Sequence, residues 1–126
     1  EEIIASHPAV AECAVVGIAD ELRGQRPVGF AVLKDGQNID ENTLEQQSIA
    51  LIREQIGAVA FYRNTILVKR LPKTRSGKIL RKIIRQIADG ESFNVPSTID
   101  DPAILHEITQ RLQERNIGVA YTEKQV

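Results

Sequence analysis

The chain has 126 residues, 42% of them hydrophobic and 26% charged, with a formal net charge of −1. These values describe one globular domain large enough to bury a core, and they exclude a disordered or fibrous chain. The single cysteine excludes an internal disulfide and suits a reducing compartment, and no apolar run approaches the ~20 residues that cross a bilayer.

In chain order, Ile3, Ile4 and Ala5 read as the tail of a helix ending near Ser6-His7-Pro8, because proline disfavours helix in the residue before it. The chain opens inside that helical pattern without a methionine, so it is expected to be a piece of a longer protein. Val10 to Ile18, rich in Val, Ala and Ile, predicts a buried strand, with Cys13 as a small core residue inside it. Asp20 to Arg26 reads as a polar loop with Gly24, and Pro27 to Leu33 as a second strand whose alternation Gly29 weakens. Lys34 to Asn38 is turn-like. Asp40 to Ile56 predicts a helix, with Leu44, Ile49, Ile52 and Ile56 near helical spacing, Asn42 or Thr43 as its cap and Gly57 at its end.

Thr65 to Val68 predicts a short third strand, and Leu71 to Gly77 a loop. Ile79 to Ile87 predicts an amphipathic helix with Ile79, Leu80, Ile83, Ile84 and Ile87 on one face, ending at Gly90. Arg81, Lys82 and Arg85 lie on the other face, as solvated residues or contacts to a further domain. Ser92 to Asp101 reads as irregular, and Pro102 opens a last helix to about Arg115. Few, short strands interleaved with helices predict an α+β domain: a small, mostly antiparallel three-stranded sheet with helices packed on it.

Charge is unevenly spread. Nine of the sixteen basic residues, and no acid, fall between Gln55 and Ala88. A block of one sign points to an anionic partner or to a solvated face. A small nucleic-acid-binding module is one reading of it. That block holds only Phe61 and Tyr62 as aromatics, fewer than a stacking platform uses, and no reader motif. A pure interaction domain has no positive sign. No spaced His, Cys or carboxylate cluster predicts a metal site built from side chains. His7 reads as structural, and His106 has no evident partner for nucleophilic or metal work.

The stretch richest in chemistry is Leu71-Pro72-Lys73-Thr74-Arg75-Ser76-Gly77-Lys78, a basic loop that reads as flexible. Gly77 supplies backbone freedom, and Lys78 stands at the mouth of the following helix. An ammonium on a long stem can swing into a separate site and neutralise charge building on phosphate or carboxylate oxygens. A nucleotide-binding P-loop would need Gly five residues before the Gly77-Lys78 pair and Ser or Thr after it. Those positions hold Pro72 and Ile79, so a P-loop is rejected.

The same residues, Pro72, Lys73, Thr74, Gly77, Lys78 and Arg81, resemble the C-terminal signature of the adenylate-forming superfamily, which includes acyl-CoA synthetases, peptide-synthetase adenylation domains and luciferases. The likeness covers most of the chain. Residues 1–16, with His7-Pro8-Ala9-Val10-Ala11-Glu12, resemble the stretch after the family's interdomain hinge. Arg53-Glu54-Gln55-Ile56-Gly57 and Ala58-Val59-Ala60 resemble the family's helix end and turn before a third strand. The loop and the tail at 88–91 and 97–102 are similar to acetyl- and propionyl-CoA synthetases, and lean towards the propionyl group.

The resemblance implies that residues 1–126 are one C-terminal domain of a larger enzyme, with a large N-terminal ATP- and acyl-binding domain outside this chain. It implies ATP, coenzyme A and Mg2+ as cofactors, bound mostly by that other domain, and a small carboxylic acid as substrate. Lys78 is then the catalytic lysine of acyl-adenylate formation, and Arg53 binds a phosphate of coenzyme A. Backbone groups of Ala5, His7 and Val10 match a metal position in the family. Lys78 would also be the target of an acetyltransferase and a sirtuin-type deacetylase. The chain alone is expected to be inactive, with no membrane partner, in the cytoplasm or the mitochondrial matrix.

Overall fold

The computed structural model describes residues 1–20, 24–57, 62–115 and 117–118. The centre of the expected loop at 21–23, the turn Ala58-Val59-Ala60 and Phe61 lie outside the described residues. In chain order the elements are α1 (Glu2–Ala5), β1 (Val10–Asp20), β2 (Gly24–Leu33), α2 (Glu41–Gln55), β3 (Asn64–Leu67), α3 (Arg81–Ala88) and α4 (Ala103–Glu114).

The α+β class and the three strands are as the sequence predicts; the sheet is mixed. β1 and β2 pair antiparallel from Val10 opposite Leu33 to Asp20 opposite Gly24. β3 joins β2 in parallel, with Val28 opposite Asn64 and Ala31 opposite Leu67. The parallel pairing follows from α2, because a helix between two strands carries the chain back to the end where it started. Strand pairing also runs through Asp20 and Gly24, into residues expected as loop. Ladder bonds use only backbone, so polar side chains at strand ends do not prevent them.

Helices cover both faces of the sheet. Ala14, Val16, Ile18, Val28, Phe30 and Ile66 pack with the apolar sides of α3 and α4. Cys13, Ala31 and Tyr62 pack with Ile4 of α1 and with Leu44 and Ile52 of α2. Val10 shares a face with Cys13 despite the odd spacing, because the register slips between Val10 and Glu12. A bulge of one residue inverts the side-chain alternation at that point. Gly29 also has a packing reason: a Cβ there would lie 2.1 Å from the Tyr62 hydroxyl, which bonds Thr65 Oγ1 at 2.6 Å.

The helix ends refine the sequence reading. The cap of α2 is Asp40, whose carboxylate accepts the Thr43 N–H at 3.1 Å. Asn42 and Thr43 are already helical, so neither can hold the extended backbone that a cap needs. α3 closes at Gly90 (φ 71°), with the Gly90 N–H on Ile87 O at 3.2 Å and the Glu91 N–H on Gln86 O at 2.9 Å. This double bond pattern needs a left-handed residue, which glycine supplies.

Both sheet edges are closed by side chains. On β3 the Thr65 N–H donates to Glu45 at 2.9 Å and the Leu67 N–H to Glu41 at 2.7 Å, both carboxylates from α2. The carbonyls of the same two residues accept from Arg115 and Arg111 at 3.1 Å each. Arg115 also bonds Glu45 at 2.6 Å, and Arg111 bonds Glu41. Burial opposes the charge of these two guanidiniums, and the paired glutamates outweigh it and hold both above the ordinary arginine range. On β1 the Val15 N–H goes to Glu1 and the Ala19 N–H to Asp89, each at 2.9 Å.

Candidate active site

The loop from Pro72 to Leu80 is a bonded turn. The Leu80 N–H reaches Pro72 O at 2.9 Å, the Thr74 N–H reaches Lys78 O at 2.9 Å, and the Gly77 N–H reaches Thr74 O at 2.9 Å. Its outer side pairs with the chain beyond α3: the Arg75 N–H donates to Thr98 O and the Asp100 N–H to Lys73 O, each at 2.9 Å. The expected flexible loop is thus fixed on two sides. Ile79 bridges to Lys73, and Leu80 has non-helical angles (φ −92°, ψ 66°). The helix therefore begins at Arg81, and Ile79 and Leu80 pack against the core from the turn.

Most signature residues have a structural task. Pro72 is fully buried. The Thr74 hydroxyl accepts the Lys78 N–H at 3.2 Å and shares a hydrogen bond with Ser76 at 2.9 Å. Gly77 takes φ 94°, a conformation that side chains resist. Lys73 donates to Glu12 of β1 at 2.5 Å. Arg81 grips the Glu1 carboxylate with two bonds, Nε at 2.6 Å and an Nη at 2.5 Å. The Arg81 bond, chief among several causes, holds the Glu1 carboxyl below the ordinary range. Lys78 differs: its side chain is exposed and has no hydrogen-bond or ion-pair partner among the described residues.

The basic block divides accordingly. Arg70 pairs with Asp101 at 2.5 Å, and Arg85 with Glu91 at 3.3 Å and Asp89 at 3.6 Å. With Lys73 and Arg81 also paired, much of the block is neutralised within the chain, and Arg81 and Arg85 are not a bare solvated face. Lys78 and Lys82 stand at a groove of about 660 Å3 between the start of α3 and residues 92–96, with Phe93 on the far wall and no carboxylate in its lining. Positive charge with no acid beside it favours an anionic group there. It offers a nucleic acid no stacking row, which leaves that reading without support.

Arg53 is exposed in the last turn of α2, with no hydrogen-bond or ion-pair partner among the described residues. Glu45, on the same helix, is taken by Arg115 and Thr65. The structure does not bring Arg53 and Lys78 together, since α2 and α3 cover opposite faces of the sheet.

No three His, Cys, Asp or Glu side chains converge among the described residues. The His7 carbonyl already accepts the Val10 N–H at 3.1 Å, and Ala5 and Val10 contribute backbone alone. Ala5, His7 and Val10 thus offer a divalent cation backbone oxygens and no cluster of anionic side chains among the described residues. His7 is buried, with Nε2 on Gln47 Oε1 at 2.5 Å and Nδ1 accepting the Ala9 N–H at 3.1 Å, a structural role. Cys13 is buried, which raises its thiol above the ordinary range and removes it as a nucleophile. Sequence reasoning missed Glu1, Glu12 and Thr98, the partners that fix the turn. No local signal marks them, because each lies far along the chain from the residue it holds.

The model of the AMP-binding enzyme C-terminal domain matches residues 1–78. Acyl-CoA synthetase short-chain family member B, mitochondrial, from Dictyostelium discoideum is 47% identical over 108 residues, which are 86% of this chain and 16% of that protein. Propionate–CoA ligase from Escherichia coli (strain K12) is 42% identical over 118 residues, 90% of this chain and 19% of that protein. The chain therefore spans less than a fifth of the curated relatives it matches. The structure of acetoacetyl-CoA synthetase from Streptomyces lividans superposes with a TM-score of 0.73 over 90% of this chain and 17% of its own, at 22% identity, a likeness of fold.

Proposed function

The chain belongs to the AMP-binding enzyme C-terminal domain family, and from that premise we propose that it is the mobile C-terminal domain of an AMP-forming short-chain acyl-CoA synthetase. Its large N-terminal domain, which would hold ATP and the acid, precedes it in the parent protein. Propionate is the proposed acid, supported by the likeness to a propionate–CoA ligase; acetate is the runner-up. The observation that carries the reading is the exposed Lys78, unpaired among the described residues, on a turn whose other signature residues are committed to holding it.

In the first step a carboxylate oxygen attacks the α-phosphorus of ATP, and the bond to pyrophosphate breaks. Negative charge builds on the oxygens around that phosphorus, and the Lys78 ammonium, delivered by a fixed backbone, stabilises it. In the second step the sulfur of coenzyme A attacks the acyl carbon, and AMP leaves. Arg53 is the proposed ligand of a coenzyme A phosphate, a task suited to a guanidinium. Its place across the sheet from Lys78 supports use of the two residues in separate steps, with the domain turned between them. Acetylation of Lys78 by an acetyltransferase, reversed by a sirtuin-type deacetylase, would remove the charge and stop the first step alone. The exposure of Lys78 supports that regulation. A reducing compartment, cytosol or mitochondrial matrix, is proposed with it, and no helix among the described residues is long and apolar enough to cross a membrane.

The test is pyrophosphate exchange by the intact parent protein with acetate, propionate and butyrate. Exchange dependent on a short acid, fastest with propionate, is expected; no exchange with any acid overturns the reading. Arg53→Ala should raise the KM for coenzyme A about tenfold, the loss of ~1.4 kcal/mol of binding, with exchange unchanged. Steady-state kinetics of thioester formation beside exchange reads both.

A further inference from the structure

The turn that presents Lys78 has two shoulders, Lys73 before it and Arg81 after it, and each is tied by an ion pair to the first residues of the chain. Lys73 reaches Glu12 in β1 at 2.5 Å. Arg81 reaches Glu1, next to α1, with its Nε at 2.6 Å and an Nη at 2.5 Å. The second tie is the more constrained. One oxygen of Glu1 takes both the Arg81 Nε–H and, at 2.9 Å, the backbone N–H of Val15. The Glu1 carboxylate is thus fixed against β1 before it meets Arg81, and a fork of two parallel bonds sets angle as well as distance. Arg81 is the first residue of α3, directly after the turn.

We infer that Glu1 and Glu12 are positioning residues for Lys78: their carboxylates hold the two shoulders of the turn, and so set where its ammonium is delivered. The inference rests on Lys78 acting in adenylate formation as proposed above. Each pair is partly exposed, so it adds little to folding. Its effect is geometric, and a shift of about 1 Å in a positioned group can cost a hundredfold in rate.

The test uses the intact parent protein with Glu1→Gln, Glu12→Gln, Arg81→Gln, Glu1→Gln with Arg81→Gln, and Lys78→Ala. Two half-reactions are read: pyrophosphate exchange, and thioester formation from supplied acyl-AMP. Glu1→Gln is expected to lower exchange about tenfold, to leave the thioester step within about twofold and to keep the melting temperature. The double variant should match Arg81→Gln alone, because both remove one contact. If Lys78→Ala abolishes exchange while Glu1→Gln and Glu12→Gln leave it intact, or lower both half-reactions alike, the positioning role is overturned and the lysine stands. If Lys78→Ala leaves exchange intact, the adenylation reading falls and the inference falls with it.

Discussion

Replacing Lys78 with alanine in the intact parent protein is expected to lower pyrophosphate exchange by about 10²–10³, the usual effect of removing one preorganised charge from a transition state. Thioester formation from supplied acyl-AMP should survive within a few-fold. The size follows from the geometry. Thr74 bonds the Lys78 backbone at both its N–H and its carbonyl, and Gly77 turns the chain just before it. In the proposed role the lysine would meet its ligand with the backbone already ordered, so removing the ammonium would discard a prepared interaction. Lys78→Arg should recover little, because a planar fork does not replace a compact charge. Lys78→Gln should behave as alanine does in exchange. Equal exchange in wild type and Lys78→Ala would show that the residue has no part in the first step.

The second large effect is on stability. Glu45→Ala is expected to destabilise the domain by about 3 kcal/mol, read as a lower urea midpoint at unchanged slope. Glu45 is buried and carries two obligations: it accepts the Thr65 N–H at 2.9 Å and pairs with Arg115 at 2.6 Å. Alanine would leave a buried donor without an acceptor, at about 1–3 kcal/mol, and a partly buried guanidinium with the Thr65 carbonyl at 3.1 Å and, among the described residues, one carboxylate, Glu41 at 3.0 Å. Glu107→Ala is the control, since its carboxylate serves the exposed Lys69 N–H. It should cost less than ~1 kcal/mol. Equal losses for the two variants would mean that the α2–α4 clasp contributes no more than a surface contact.

Much of the fold is legible in the residues. The isoleucines of α3 mark its buried face, and Leu44 and Ile52 mark that of α2, whereas Ile56, expected on the same face, is 58% exposed at the helix end. Gly57, Gly77 and Gly90 mark turns, and all three take positive φ. What escaped was decided at long range. Ile79 and Leu80 continue the helical pattern of Ile83 and Ile84, yet a bridge to Lys73 and a bond to Pro72 keep them out of the helix. The lysine loop looks mobile from its Gly and Ser, and is held by Thr98 and Asp100, some twenty residues on. Arg81 finds its partner 80 positions away in Glu1, and nothing in the spacing of either residue announces the other. The parallel entry of β3 is likewise a property of the path through α2, which side-chain alternation does not record.

A sheet of three strands with two open borders would be an adhesive surface, because unpaired backbone invites strands from other molecules. Here Glu41 and Glu45 with their arginines border one side, and Glu1 and Asp89 border the other. Carboxylates seated on the outer amides make both borders poor templates for a foreign strand, so the glutamates that hold the sheet together also keep it from pairing with another chain.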